Sequence, residues 1–263
     1  MESKYIIVKG IVQGVGFRPF VYNIALDNNL KGNVYNSQDG VYINIEGKNK
    51  DIDKFIFEIK NRPPKLSYIE DITIEDRDIR HFNYFNIIDS NYENKYKNKK
   101  ITLLSTDISI CEDCIKDINN IQDRRYKYPF TNCVNCGPRY SIIKDLPYDR
   151  DNTIMKDFKM CNKCKEEYEN PLNRRFHAQP ICCSECGPKL SLLDNKENII
   201  NCENEIDTTK RLLKEGNIIA IKGLGGFHLA CNAKDEIAIQ RLRDRKQRKT
   251  KPLALMKIGR AHV

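Results

Sequence analysis

Eight of the eleven cysteines fall into four Cys-x2-Cys pairs, and the pairs recur at a fixed offset of 50 residues. Cys111 and Cys114 are followed after 18 residues by Cys133 and Cys136, and Cys161 and Cys164 after 18 residues by Cys183 and Cys186. The repeat reaches past the cysteines. Arg124-Arg125-Tyr126 matches Arg174-Arg175-Phe176, and Gly137-Pro138-Arg139 matches Gly187-Pro188-Lys189. This stretch is a tandem duplication of one small unit. Two thiolates separated by two residues bite one ion from a tight turn, and two such knuckles make the tetrahedral four-thiolate shell of structural zinc sites. Four thiolates leave no open coordination position, so each metal is expected to stabilise its unit rather than catalyse. A unit this small buries little core, and metal binding supplies much of its folding free energy. The expectation is two zinc ions per chain, with an iron–sulfur cluster as the competing occupant. The offset selects Cys183 rather than its neighbour Cys182. Cys182, Cys202 and Cys231 read as small buried apolar residues. His177 lies between the knuckles of the second copy, which leaves a minor metal role open for it.

Thiols kept for metal imply a reducing compartment. The N-terminus, MESKYIIVKGIVQGVGF, has no long apolar stretch ending in a small-residue cleavage site. No run approaches the ~18 apolar residues of a membrane span. The expected location is the cytoplasm, with no membrane association. With 263 residues and a mean hydropathy of −0.61, the chain suits two or three small domains joined by wet linkers. The formal charge of +9 is uneven. Residues 1–90 carry a net charge of −1, whereas residues 241–257 carry +7. A local basic cluster calls for a local anionic partner: nucleotide, polyphosphate or nucleic acid.

Residues 4–10 read as a strand, Pro19 opens a helical stretch over residues 20–30, and residues 31–37 and 41–46 read as strands joined by an Asp39-Gly40 turn. In the third strand Val41, Ile43 and Ile45 alternate with Tyr42, Asn44 and Glu46. Residues 51–61 fit a helix, and residues 68–74 and 82–88 fit further strands. The order βαββαβ is the ferredoxin-like split arrangement. Between the first strand and helix lies Gln13-Gly14-Val15-Gly16-Phe17-Arg18. Backbone N–H groups of such a turn, aimed into a helix N-terminus, bind phosphate, and Arg18 can grip two phosphate oxygens with its planar fork. On its own the Gly-x-Gly is a weak signal, and a structural turn is the plain alternative.

The segments VKGIVQGVGFRPFVYNIA and GNVYNSQDGVYINIEG resemble acylphosphatases, over about residues 4–90. The resemblance implies that Arg18 and the loop Gln13–Phe17 bind the phosphoryl group and that Asn36 orients the attacking water. It implies in-line attack at phosphorus with no covalent intermediate.

Residues 89–100 (DSNYENKYKNKK) read as a polar linker. Farther on, residues 208–215 look helical, residues 217–222 (NIIAIK) look like a buried strand, residues 223–229 a tight glycine turn, and residues 236–245 a helix ending in a basic cluster. Strand, glycine turn, helix and basic cluster suggest a nucleotide-phosphate site, against the alternative of a solvated helix end. AIKGLGGFHLACNA with LRDRKQRKTKPLALM is similar to the start of a YrdC-like domain. That likeness implies Lys222, Lys246 and Arg248 around ATP and an adenylate, with Mg as the nucleotide's companion ion. His228 is either a pocket residue or a structural one.

The three units in this order resemble the HypF-type carbamoyltransferases of nickel–iron hydrogenase maturation. RRYKYPFTNCVNCGPRYSII, LPYDRDNTIMKDFKMCNKC and NRRFHAQPICCSECGP carry the likeness through the middle of the chain. The resemblance implies an α+β multidomain protein. Its parts are a ferredoxin-like βαββαβ acylphosphatase domain (1–90), a linker (91–100), tandem four-cysteine zinc modules (101–193) and a truncated α/β YrdC-like domain (200–263). It implies carbamoyl phosphate and ATP as substrates, HypE as carbamoyl acceptor, and a cyanide ligand as the product's fate. Against that resemblance, only the first part of a YrdC-like domain is expected here, without the C-terminal transferase domain, and Lys257–Val263 are not expected to continue its strand. They read as a frame error or junction, so full carbamoyl transfer is not expected while acyl phosphate hydrolysis is. The alternatives are a zinc-dependent nucleic-acid-binding module, with residual double-stranded RNA affinity, and a non-catalytic partner-docking scaffold.

Overall fold

The computed structural model describes residues 1–88, 90, 103 and 105–256. Two compact units are present, Met1–Pro188 and Lys189–Val263. Residues 91–100 of the expected linker and the tail Lys257–Val263 lie outside the described residues.

The first unit opens with β1 (Glu2–Ile11), α1 (Phe17–Asp27), β2 (Lys31–Ser37), β3 (Gly40–Gly47), α2 (Asn49–Asn61), β4 (Tyr68–Asp76) and β5 (Phe85–Ile87). The sheet order is β4-β1-β3-β2-β5. β1 runs antiparallel to β3 and β4, β2 antiparallel to β3, and β5 parallel to β2. This is the expected ferredoxin-like arrangement, with the last expected strand (82–88) reduced to the short edge strand β5. Val21, Ile24 and Ala25 of α1 and Ile52, Phe55 and Ile59 of α2 share a core with Ile6, Val8, Val34, Ile43 and Phe85 of the sheet.

Three local differences from the sequence reading have physical causes. α1 begins at Phe17 because Gly16, at φ 76°, adopts the left-handed conformation and caps the helix without a side chain. Pro19 then lies inside the first turn, where its missing N–H costs nothing. The β2–β3 loop is Gln38–Asp39, with Gly40 already paired to Ser37. β3 is covered on both faces rather than one. The buried Glu46 carboxylate accepts hydrogen bonds from the backbone N–H of Arg80 and, at 3.0 Å, of Phe82, and that work shortens the final strand to Phe85–Ile87.

The cysteine modules contribute α3 (Glu112–Asn119) and α4 (Asn162–Glu169), which start directly after Cys111 and Cys161. The two copies hold each other by exchanging arginines. Arg124 of the first copy reaches the Cys164 Sγ at 3.2 Å and Glu167 at 2.5 Å. Arg125 forks onto Glu167 at 3.0 and 2.6 Å and donates from Nε to the Cys182 carbonyl at 3.0 Å. In return, Arg174 reaches the Cys114 Sγ at 3.0 Å and pairs with Asp117. Arg175 pairs with Asp117 and donates to the Asn132 carbonyl at 3.1 Å. Each contact maps onto its counterpart at the offset of 50, so the repeat is a pseudo-twofold clasp. Burial alone would raise the Glu167 carboxyl, but the guanidinium groups of Arg125 and Arg124 hold it below the usual carboxylate range. Arg125 itself is 1% exposed.

The second unit contains α5 (Glu205–Lys214), β6 (Ile219–Lys222), β7 (Phe227–Ala230) and α6 (Glu236–Arg245). Asn204 and Asp235 cap the helices by accepting from the N–H of Asp207 and Ala238. The glycine turn does not lead into a helix. It closes an antiparallel hairpin, with the Gly223 N–H donating to the Gly226 carbonyl at 2.7 Å and Lys222 opposite Phe227. The strand expected to be buried is largely exposed, as are Leu224 (81%) and Phe227 (66%). Cys202 and Cys231 are half-buried rather than buried, whereas Cys182 is buried as expected. Among the described residues no helix is long and apolar enough to cross a membrane.

Arg125→Ala removes one of the guanidinium groups on Glu167, which keeps Arg124 at 2.5 Å, together with the buried bond to the Cys182 carbonyl. It is expected to lose about 2–3 kcal/mol in urea unfolding of the chain. Lys163→Ala, on the exposed side of α4, should stay within about 0.5 kcal/mol of the parent.

Candidate functional site

The loop between β1 and α1 is shaped by Gly14 and Gly16, at φ 74° and 76°. A Cβ on Gly14 would stand 3.0 Å from the Arg139 side chain, so both the backbone conformation and the space require glycine there. No side chain caps α1, and its first turn carries no acidic residue. Its leading N–H groups, together with the positive end of the helix dipole, make a ready anion site. The loop is locked by the buried Gln13 carboxamide. Its Nε2 donates to the carbonyls of Ser37 at 2.6 Å and Gly40 at 3.0 Å, and its Oε1 accepts from the Tyr148 N–H at 2.9 Å.

Arg18 and Asn36 come together here, as expected, and they meet a third element. The Arg18 guanidinium pairs with Asp149 at 2.6 Å and donates to the Tyr148 carbonyl at 3.3 Å. Asn36 Nδ2 donates to the same carbonyl at 3.3 Å, and its buried Oδ1 has no partner among the described residues. The Ser90 hydroxyl donates to Asp149. A carboxylate thus sits against the arginine where a phosphoryl group is expected. Gln13, Gly14, Gly16, Phe17, Arg18 and Asn36 line a cavity of about 30 Å³, closed from the module side by Val134, Arg139, Tyr148 and residues 177–180. Burial pushes the Tyr148 phenol up to about 12.

Arg139 ties this wall to a cysteine knuckle. Its Nε donates to the Gly14 carbonyl, and its terminal nitrogens donate to the carbonyls of Cys136, Pro138 and Val134 at 3.1, 2.9 and 2.8 Å. Arg139, Tyr148, Asp149, His177 and Gln179 were not singled out from the sequence as part of this site. The available signal was the pair of copies: the second differs from the first at 177–179 (His-Ala-Gln against Lys-Tyr-Pro), and LPYDR lies between them.

The eight predicted ligands gather as two sets, Cys111, Cys114, Cys133 and Cys136, and Cys161, Cys164, Cys183 and Cys186, each with its sulfurs within 4.8 Å of one another. In the first set the Cys111–Cys133 and Cys133–Cys136 sulfur separations are 3.6 and 3.8 Å. In the second, Cys161–Cys183, Cys183–Cys186 and Cys164–Cys186 are at 3.8, 3.8 and 3.5 Å. A tetrahedron with metal–sulfur bonds of about 2.3 Å has an edge of about 3.8 Å, so both sets fit a thiolate-bound ion of zinc size. Cys182 stands outside the set, beside the Tyr128 hydroxyl at 3.6 Å. His177 contributes to neither set.

In the second unit Lys222 Nζ lies over the Phe227 ring at 4.9 Å. Lys246 is the C-cap of α6. The Arg248 N–H donates to the Arg243 carbonyl at 2.9 Å, while its buried Nε has no partner among the described residues. His228, on β7, pairs in register with Ile221.

Residues 4–87 match the Acylphosphatase family, residues 110–143 and 160–193 the HypF finger, and residues 211–259 the family described as Telomere recombination. A probable carbamoyltransferase HypF of Methanocaldococcus jannaschii is 55% identical over 250 residues, which is 95% of this chain and 32% of that protein. The carbamoyltransferase HypF of Synechocystis is 48% identical over 257 residues, 97% of this chain and 33% of that protein. A crystal structure of full-length HypF in a phosphate- and nucleotide-bound form superposes with a TM-score of 0.86 at 48% identity, covering 96% of this chain and 32% of that one. The chain thus spans about a third of the length of these relatives.

If the Asp149 carboxylate competes for Arg18, Asp149→Ala should tighten binding of inorganic phosphate about fivefold to tenfold, measured by calorimetry. Weaker binding would instead make Asp149 the residue that holds Arg18 in place.

Proposed function

The chain belongs to the HypF carbamoyltransferase family, and on that premise we propose that its N-terminal sheet domain hydrolyses an acyl phosphate, namely carbamoyl phosphate, at the Arg18–Asn36 site. The observation that carries the reading is the pairing, in one buried recess, of an uncapped glycine turn and Arg18 with an Asn36 Oδ1 that lacks a partner among the described residues. The loop N–H groups and Arg18 hold the equatorial phosphoryl oxygens in place of Asp149. Asn36 Oδ1 accepts a hydrogen bond from a water lined up behind phosphorus. The water oxygen bonds to phosphorus, the bond from phosphorus to the acyl oxygen breaks, and the water's proton leaves on phosphate. Carbamate departs as a stabilised carboxylate, so no general acid is needed. The donors act on charge that grows in the transition state, and they are fixed before reaction by Gln13 and Arg139.

The wider scheme follows the family. The cysteine modules hold one zinc each, as structure rather than catalyst. The segment from about residue 200 is the start of an ATP site, with Lys222, Lys246 and Arg248 neutralising the phosphates and Mg accompanying the nucleotide. In the whole protein carbamate is adenylated there and passed to HypE, on the way to the cyanide ligand of a nickel–iron hydrogenase in the cytoplasm. The division at 1–90, 101–193 and 200–263 is the functional division of this scheme. The fork of cysteine sulfurs at tetrahedral spacing supports the metal assignment, and the nucleotide-bound relative supports the ATP assignment.

Two measurements test this. Arg18→Ala should lower phosphate release from carbamoyl phosphate by about 10²–10³-fold in kcat/KM. Equal release by both proteins removes the catalytic role. Elemental analysis should return two zinc ions per chain, one for each four-thiolate set, and iron with sulfide would replace the zinc assignment.

A further inference from the structure

Resting on the reading of this recess as an acyl phosphate site, we propose that the imidazole of His177 is the specificity-determining acceptor for an amide N–H on the acyl end of the substrate. The site then favours a carbamoyl over an alkyl acyl phosphate.

Four buried side-chain polar atoms lack a partner among the described residues, and two of them, Asn36 Oδ1 and His177 Nδ1, belong to residues lining the same cavity. A buried polar atom without a partner is costly, and its presence in a recess points to a ligand that completes it. The other polar groups aimed at the phosphoryl position, the loop N–H groups and Arg18, are donors. With its proton on Nε2, the neutral His177 ring offers Nδ1 as a second acceptor beside Asn36 Oδ1, and both then serve groups that carry hydrogens. Asn36 serves the attacking water, and His177 is left for the acyl end.

The duplication isolates what is special about His177. Its counterpart is Lys127, and the two share a left-handed backbone, φ 52° and 56°. Their N–H groups donate to equivalent carbonyls, Tyr168 at 2.9 Å and Ile118 at 2.8 Å. The backbone is thus common property, and the side chains differ. At the counterpart that lines the phosphate recess the residue is histidine, its ring held 4.8 Å from Tyr168 and 4.7 Å from Phe176. The next residue, tyrosine in the first copy, is Ala178 here, which leaves room beside the ring.

The ring's charge state fits the role. Burial, with Arg18 nearby, pushes the His177 pKa down to about 3, against a smaller opposing pull from Asp149. The imidazole is neutral above that pH and keeps one lone-pair nitrogen, whereas the cation would offer none. A carbamoyl NH2 can donate to that nitrogen, and a methyl group in the same place leaves it unsatisfied. Sites built around a hydrogen bond discriminate strongly against the analogue that lacks it.

The test uses two stable phosphonates that differ only at this group: phosphonoacetamide, with an NH2, and acetonylphosphonate, with a methyl. The full chain is expected to bind the amide about tenfold more tightly by calorimetry. His177→Phe keeps a ring between Tyr168 and Phe176 but has no acceptor, and should bring the two affinities within about twofold of each other. His177→Asn, which tolerates the left-handed backbone and retains an acceptor, should restore part of the preference. Equal affinities in the parent, a preference unchanged by His177→Phe, or an equal loss for both ligands overturns the proposal, as does binding of neither. A chain that shows the preference but hydrolyses no acyl phosphate keeps the recognition role and loses only the hydrolytic reading.

Discussion

The exchange of guanidinium groups between the two cysteine modules is the interaction on which the rest of this unit depends. The modules have little apolar core to order them: one cluster contains only Tyr128, Ile142, Met155 and Cys182 as buried residues. A cluster of that size cannot offset the entropy of fixing so many irregular residues. Thiolate shells and buried arginines do it instead, through directional bonds that set geometry tightly. Arg124 and Arg174 each reach a sulfur of the other copy's set, where they would offset the excess negative charge of four thiolates around a bound divalent ion. Neither copy supplies its own counter-charge, and the pair orders as one body.

That rigidity reaches the phosphate recess through a small set of bonds: the Arg139 guanidinium, the Gln13 carboxamide and the Arg18–Asp149 ion pair. Arg139 joins the Cys133–Cys136 knuckle to Gly14, and Gln13 joins the loop to Ser37, Gly40 and Tyr148. A phosphate turn in an isolated sheet domain has one face in water. Here the cysteine modules cover that face, and the water is replaced by fixed dipoles and one competing carboxylate. Lower local dielectric strengthens each remaining interaction with an anion, and it raises the cost of leaving any polar atom without a partner. The same wall that sharpens phosphate recognition thus makes the acyl end of a ligand answer to the module's side chains.

Much of this was legible in the sequence, and the boundary of legibility is physical. β2 matches its predicted span and α6 its predicted ends because alternation and Asx capping are local signals. The metal sets were legible because spacing alone constrains them. The loop and its partners Arg18 and Asn36 meet as the motif implies. What escaped was non-local. Tyr148 and Asp149 reach the site from more than a hundred residues away, with no periodicity to announce them. The hairpin β6–β7 was read as strand and phosphate turn, since a glycine-rich stretch has the same composition whichever way the next segment runs. Glu46, which alternates with the apolar positions of its strand, is buried, and its carboxylate is met by the backbone around Arg80.

Duplication explains why so few residues carry two tasks here. Pseudo-twofold contacts between copies demand that Arg124, Arg125, Asp117 and their counterparts stay equivalent, since each of these arginines pairs with a carboxylate of the other copy, Arg175 adding a 3.8 Å approach to Glu167 of its own copy. The positions outside the clasp carry no such demand. One copy faces the phosphate loop at residues 177–180, and the symmetric surface of the other does not. Substitutions there change the recess without touching the ion pairs, so the fold could be kept by the symmetric set while recognition changed through the asymmetric one. His177 shows the division within a single residue: its backbone obeys the repeat and its side chain does not.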